Sequence, residues 1–239
     1  MTSSGTYDFS ISNGEIVLAA YERIKVFPPS ITQKHMETAR RELNLLLKAY
    51  AGNKQVNLWK VDLITTALVD GTATYDVDPS TVMILDAWIT QTNVEATAAN
   101  DLFITPVSRT EYASFSNKLT PGRPTSYWFD RLISPTVTLW PVPNASTYAL
   151  KYYRCRQVQD ANLPSGETPD VPDLWFDWLV AGMAHRLVRP YGPNDIAASL
   201  ALEKQRKMDA DEAWTIAATQ NVENVATTLA PTISSYYRR

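Results

Sequence analysis

Ten of the 15 prolines fall between Pro79 and Pro172. A proline inside a helix removes a backbone hydrogen bond and clashes with the carbonyl four residues back. Long helices are therefore excluded from the middle of the chain, which is left with short strands and turns. The flanks carry few prolines and show helical periodicity. The expected order is helical, then β-rich, then helical.

On the N-terminal flank, Ser12-Asn13-Gly14-Glu15 reads as a capping box, in which a hydroxyl and a carboxylate satisfy each other's free amides. The helix behind it places Ile16, Ala20, Ile24 and Phe27 on one face, and Pro28-Pro29 ends it. Ser30 or Thr32 caps a second helix with the stripe Met36, Ala39, Leu43, Leu46, Leu47 and Tyr50. Gly52 is placed to end that helix in the left-handed conformation.

In the middle, Leu58 to Leu68 and Thr72 to Val77 read as strands joined by a hairpin turn at Val69-Asp70-Gly71. Val82 to Thr92 is rich in β-branched residues, 93–100 is a polar loop tip, and Leu102 to Thr105 pairs back across it. Ser108-Arg109-Thr110-Glu111 is a second capping box, opening a short helix to about Asn117. Ser126 to Asp130, Thr136 to Trp140 and Tyr148 to Gln159 are further strands, and Asp160 to Asp170 is a polar loop. Asp170 or Asp173 then caps a helix to about Arg189, with a corner at Pro190-Tyr191-Gly192-Pro193. A last helix runs from about Asn194 to Thr219. The expected division is a flexible arm over 1–12, one helical bundle from 13–53 and 171–219, a β-rich part over 54–170, and a tail over 220–239.

With 45% hydrophobic and 20% charged residues, the chain can build a core and is not of the disordered class. A net charge of -3 disfavours a protein that lives on duplex DNA. The single cysteine, Cys155, excludes a disulfide framework within one chain. No signal peptide is read at Met1 to Ser10. No stretch reaches the roughly 18 apolar residues of a membrane helix.

Motifs for chemistry are scarce. His35 and His185 have no His or Cys at metal-ligand spacing; each reads as a core or boundary residue. Arg154 and Arg156 beside Cys155 can lower its thiol pKa, but no base accompanies it. Gly-x-Ser-x-Gly, His-Glu-x-x-His and a glycine-rich phosphate loop are all missing. No catalytic, cofactor or metal residue is assigned. Paired carboxylates among Glu167, Asp170, Asp173 and Asp177 leave a hydrolase of cell-wall sugars open. The seven tryptophans leave open a carbohydrate- or receptor-binding module. Leu174 to Val188 is apolar nearly all round, the mark of a helix buried on most sides. The last helix crowds Glu203, Lys204, Arg206, Lys207, Asp209, Asp211 and Glu212, with Glu203 and Lys207 at pairing distance. It is either a solvated face or a charged subunit contact. Tyr152, Arg154 and Arg156 share one face of a strand, either solvated or lining a channel.

Four segments resemble the head-to-tail adaptor family of short-tailed phages, of the tail tubular protein A type. They are Ala39-Arg40-Arg41-Glu42-Leu43-Asn44; Trp59-Lys60-Val61 with Thr74-Tyr75-Asp76-Val77; Tyr148-Ala149-Leu150-Lys151-Tyr152-Tyr153-Arg154; and Pro172-Asp173-Leu174-Trp175 with Ala184-His185-Arg186-Leu187-Val188-Arg189-Pro190-Tyr191-Gly192. The resemblance spans about Glu15 to Ala218. It implies an α+β fold, with the N- and C-terminal helices in one bundle and a central antiparallel β-sandwich or barrel. It also implies a structural, non-enzymatic subunit of the virion neck, assembled in the host cytoplasm without cofactor or membrane. Its partners would be itself in a twelve-fold ring, the portal protein, the tail nozzle protein, and DNA passing through the lumen without sequence-specific binding. The expected subunit or portal contacts are Glu203, Arg206, Lys207, Asp211, Tyr236, Tyr237, Arg238 and Arg239, together with the β-region loop tips. Arg154 and Arg156 are the expected channel-facing residues. Some relatives are associated with cell-wall hydrolysis, but no motif here carries that activity.

Overall fold

The computed structural model describes residues 5–6, 9–51, 58–91, 100–163 and 166–222. Gly52, the loop tip at 92–99 and the tail beyond 222 lie outside them. Helix α1 (Asn13–Arg23) opens with the anticipated box: Glu15 N–H donates to Ser12 Oγ at 3.2 Å, and Ser12 N–H to Glu15 Oε2 at 2.8 Å. It ends earlier than its periodicity suggests. Lys25 turns left-handed at φ 67°, and Val26 N–H reaches back to the Tyr21 carbonyl at 3.0 Å. Phe27 is consequently off the buried face and exposed.

Helix α2 (Gln33–Ala51) follows a short 3-10 turn at Pro28–Ser30. Thr32, not Ser30, flanks its first residue, and Thr32 N–H donates to His35 Nδ1 at 3.2 Å. Helix α4 (Phe176–Tyr191) and helix α5 (Ile196–Gln220) end the described chain. Pro190 lies inside α4 rather than at the corner. In the last turn it forfeits only one hydrogen bond, and Gly192 N–H closes the helix on the Val188 carbonyl at 2.7 Å. Asp195 caps α5, accepting from Ala198 N–H at 2.9 Å. Neither Asp170 nor Asp173 caps α4, which grows from a 3-10 turn at Asp173–Trp175; Asp170 is drawn to Arg156 instead.

The β-rich region forms two open four-stranded sheets. The first has β1 (Val61–Ala67), β8 (Tyr148–Arg156), β3 (Thr81–Gln91) and β4 (Asn100–Phe103), in that spatial order and all antiparallel. The second orders β2 (Thr74–Asp76), β7 (Thr136–Trp140), β6 (Ser126–Asp130) and β5 (Thr105–Pro106), with β5 parallel to β6. The expected hairpin over Leu58 to Val77 is not one. Gly71 does turn at φ 75°, but β1 pairs with β8 and β2 with β7, so the turn carries the chain between sheets. Leu68 and Val77 then enter one shared cluster from opposite sheets. Helix α3 (Arg109–Ser114) is shorter than expected. Phe115 leaves it to pack on Trp140, ring centres 4.4 Å apart, and the Lys118 amine takes the Ala113 and Phe115 carbonyls, each at 3.1 Å.

Two apolar clusters result. One draws Leu68, Ile89, Leu139, Leu150 and Tyr152 from both sheets. The other draws on all four long helices, with Ile16, Leu43, Leu179, Met183 and Ala213 among its members. Each large side chain fully buried there contributes about 1.5–3 kcal/mol. Trp175 is completely buried and lies 5.0, 5.6 and 4.7 Å from the rings of Trp59, Trp178 and Trp214. Polar ties join the 157–163 connector to the helices. The Asn44 amide donates to the Ala161 carbonyl at 2.8 Å and accepts from Ala161 N–H at 2.9 Å. The Asn13 amide donates to the Asn162 carbonyl at 2.9 Å.

Candidate interaction surfaces of the helices and sheets

The charged residues of α5 divide between two grooves along its flanks. The larger, about 640 Å³, lies between α2, α4 and α5. Leu46, Gly182, Pro190 and Ala210 line it among charged groups. Gly182 allows a close approach: a Cβ there would stand 3.1 Å from Leu46 Cδ2. Arg186 donates to Glu42 at 3.4 Å, and Arg189 Nε donates to Glu203 at 2.8 Å. Thus Glu203 is held across helices by Arg189 and not by Lys207. Lys207 and Asp211 both line this groove; neither has an ion-pair partner within 4 Å among the described residues.

His185 sits in the same groove, its Nε2 4.0 Å from Glu203. Burial pushes its pKa below the ordinary histidine value. Glu203 opposes that shift, while Arg189, Lys207 and Arg186 add to it. Arg206 lies on the other flank of α5, in a groove of about 380 Å³ shared with Arg23, Asp177, Asp209, Glu212 and Ile216. There Arg206 pairs with Asp209 at 2.7 Å and Arg23 with Asp177 at 2.6 Å. Tyr236, Tyr237, Arg238 and Arg239 lie outside the described residues.

Arg154 and Arg156 project from one side of β8, with side chains 11% and 18% exposed. Arg154 reaches Asp78 at 3.3 Å, Asp62 at 3.5 Å and the Thr81 hydroxyl at 3.1 Å. Arg156 grips Asp170 with both terminal nitrogens and approaches Asp62 at 3.5 Å. Burial pushes Asp170 up, but the Arg156 hydrogen bonds, the Gln159 N–H and the Arg156 charge outweigh it and hold the carboxyl below the usual aspartate value. Both guanidiniums are thus matched by carboxylates rather than simply solvated.

Cys155 points to the opposite side of β8 and is buried. Burial raises its thiol pKa against the lowering pull of Lys60 and Arg156. The flanking arginines do not make it a reactive thiolate. Lys60 is itself buried, which lowers its amine's pKa. His35 stacks on Tyr191 with ring centres 4.2 Å apart. Among the described residues no group of three or more His, Cys, Asp or Glu is placed to hold a metal ion. No described helix is long and apolar enough to cross a membrane.

Sequence reasoning missed the α2 and α4 side of the larger groove: Arg41, Glu42, His185, Arg186 and Arg189. Each borders an apolar stripe, a signal that exists in the sequence but does not say which helices converge. It also missed the turn between β6 and β7, where Leu132 and Ile133 stand exposed, Ile133 at 97%. Of the tryptophans available to a sugar platform, Trp128 stacks on Tyr112 with ring centres 5.3 Å apart and Trp140 packs on Phe115.

No curated protein matches the chain. Residues 33–229 match the family model of the SU10 adaptor protein, a span covering well over half of the 239 residues. It includes α2, both sheets, α4 and α5, and so all of the surfaces above except Arg23. The chain belongs to the SU10 adaptor protein family, a family of phage head-tail adaptors.

Proposed function

We propose that this adaptor is a ring-forming subunit seated between the portal and the tail nozzle, with its lumen forming part of the DNA channel. Family membership over residues 33–229 carries the reading. In it, 13–53 and 171–219 act as one helical bundle and 54–170 as a β-sandwich. The four-helix cluster and the cluster shared by both sheets support that division. The helices and the 220–239 tail meet the portal, using Glu203, Arg206, Lys207 and Asp211 and the terminal Tyr236, Tyr237, Arg238 and Arg239. The exposed Leu132–Ile133 turn and the other β-region tips meet the nozzle.

The Arg154 and Arg156 side of β8 faces the channel in this reading. Cations already matched by Asp62, Asp78 and Asp170 leave little free positive charge to hold phosphates, which suits DNA that must slide rather than bind. The experiment is to mix the purified chain with portal protein and image the product in negative stain. A ring of this chain on the portal is expected. Failure to associate at micromolar concentration sinks the proposal.

A further inference from the structure

The buried residues of α5 are small, Ala210, Ala213 and Ala217, with the half-buried Trp214 packed beside them on Trp175 and Trp178. Two of its larger apolar side chains face solvent instead: Met208 is 63% exposed and Ile216 53%. Glu212, also exposed, lies midway between them. At a spacing of four residues the three form one ridge, about 12 Å long. Its chemistry reads apolar, acidic, apolar. A helix that exposes such side chains in a row presents a surface for a partner.

The groove between α2, α4 and α5 has the complementary charge. Leu46 and Ala210 are buried in its floor, Pro190 is exposed at its edge, and Arg41 and Lys207 supply exposed cations. Among the described residues, Arg41 has one carboxylate within 4 Å, that of its chain neighbour Glu42 at 3.9 Å, and Lys207 has none. Glu212 has no cation within 4 Å among the described residues; of the two arginines that share its groove, Arg206 pairs with Asp209 and Arg23 with Asp177. Counting Glu203 at the rim, four cations face three carboxylates in this groove: Arg41, Arg186, Arg189 and Lys207 against Glu42, Glu203 and Asp211.

We propose that the Met208–Glu212–Ile216 ridge of one copy docks into the α2–α4–α5 groove of a second copy of this chain. The i±4 ridge enters a groove between helices in the manner of ordinary helix packing. Glu212 meets Lys207 and Arg41, while Met208 and Ile216 pack beside it on Pro190 and the aliphatic stems of the two cations. Ridge and groove lie on different sides of one rigid helix, the ridge toward solvent and the groove along one flank, so a subunit cannot satisfy itself. The contact is head to tail and closes into a ring when the rotation per subunit permits. This deepens the ring-forming reading above and rests on it.

The test is sedimentation velocity on the full chain, from micromolar to near-millimolar concentration at low salt. Wild type should associate with concentration, and added salt should weaken it. Lys207→Glu and Glu212→Arg should each raise the concentration needed by about tenfold or more, since each places like charges face to face. An equimolar mixture of the two variants should regain most of the association, because every contact again joins opposite charges. A mere folding defect in either variant would not be rescued by mixing. A monomeric wild type across the range, wild-type association by both variants, or no recovery on mixing each overturns the inference. A chain that stays monomeric but binds portal protein leaves the adaptor reading standing without this contact. A chain that self-associates but never binds portal does the reverse.

Discussion

Asp170 joins the end of β8 to the start of the C-terminal helices, and removing its carboxylate should measurably weaken the chain. The Asp170 side chain accepts two hydrogen bonds from Arg156 and one from Gln159 N–H at 3.0 Å. Its side chain is 22% exposed, so water replaces these bonds only in part. Hydrogen bonds to charged groups are worth about 1.5–3 kcal/mol each in favourable cases, and they do not sum. Asp62 still stands 3.5 Å from Arg156 and limits the cost of the orphaned guanidinium. Asp170→Ala should therefore cost about 2–3 kcal/mol, which lowers a urea midpoint by about 1 M. Tryptophan fluorescence is the natural probe, because Trp59 donates to the Asp170 carbonyl at 3.2 Å and packs on Trp175. The acid limb has a definite sign. The folded carboxyl titrates below the ordinary aspartate value of 3.8, so its stabilisation is present above that value and declines as pH falls through it toward the folded one. Asp170→Ala should flatten that part of the profile. A midpoint unchanged from wild type would refute the reasoning. So would an Arg156→Ala substitution that costs as much in the Asp170→Ala background as alone, since coupled partners cannot be additive.

Asp195→Ala removes the α5 cap and should cost about 1 kcal/mol in the same urea assay. Lys25→Gly relieves a left-handed residue at φ 67° and should gain about 0.5 kcal/mol, seen as a rise of about 1–2 °C in Tm. His185 titrates below its ordinary 6.5 when folded, so the unfolded chain takes up the proton first as pH drops below that value. Stability should decline across that window, and His185→Gln should abolish this slope in pH-dependent melts.

Much of the layout was legible in the sequence. Both capping boxes form at Ser12 and Ser108, because their partners lie three residues apart. The nearly all-apolar Leu174 to Val188 segment is buried almost throughout, as a helix without a polar face must be. Local signals failed where a distant partner competed for the same group. Asp170 has the composition of a helix cap, yet Arg156 takes its carboxylate. Val69-Asp70-Gly71 has the composition of a hairpin turn, yet β8 and β7 take the two strands it joins. Glu203 and Lys207 have the spacing of an ion pair, yet Arg189 reaches Glu203 from α4. The larger groove was invisible for the same reason, since its cations come from three helices.

The sequence alone determined the order of helices and strands and the absence of any recognisable catalytic motif among its residues. It also determined the crowding of charge on α5, because these properties depend on neighbours a few residues apart. Only the tertiary structure decided how that charge divides. Packing α5 on α4 through its alanines and Trp214 set Lys207 and Asp211 on one flank and Arg206, Asp209 and Glu212 on the other. The near absence of a preferred apolar side along α5 leaves the rotation of that helix undetermined by its own pattern, so the helices beneath it fix which charges meet.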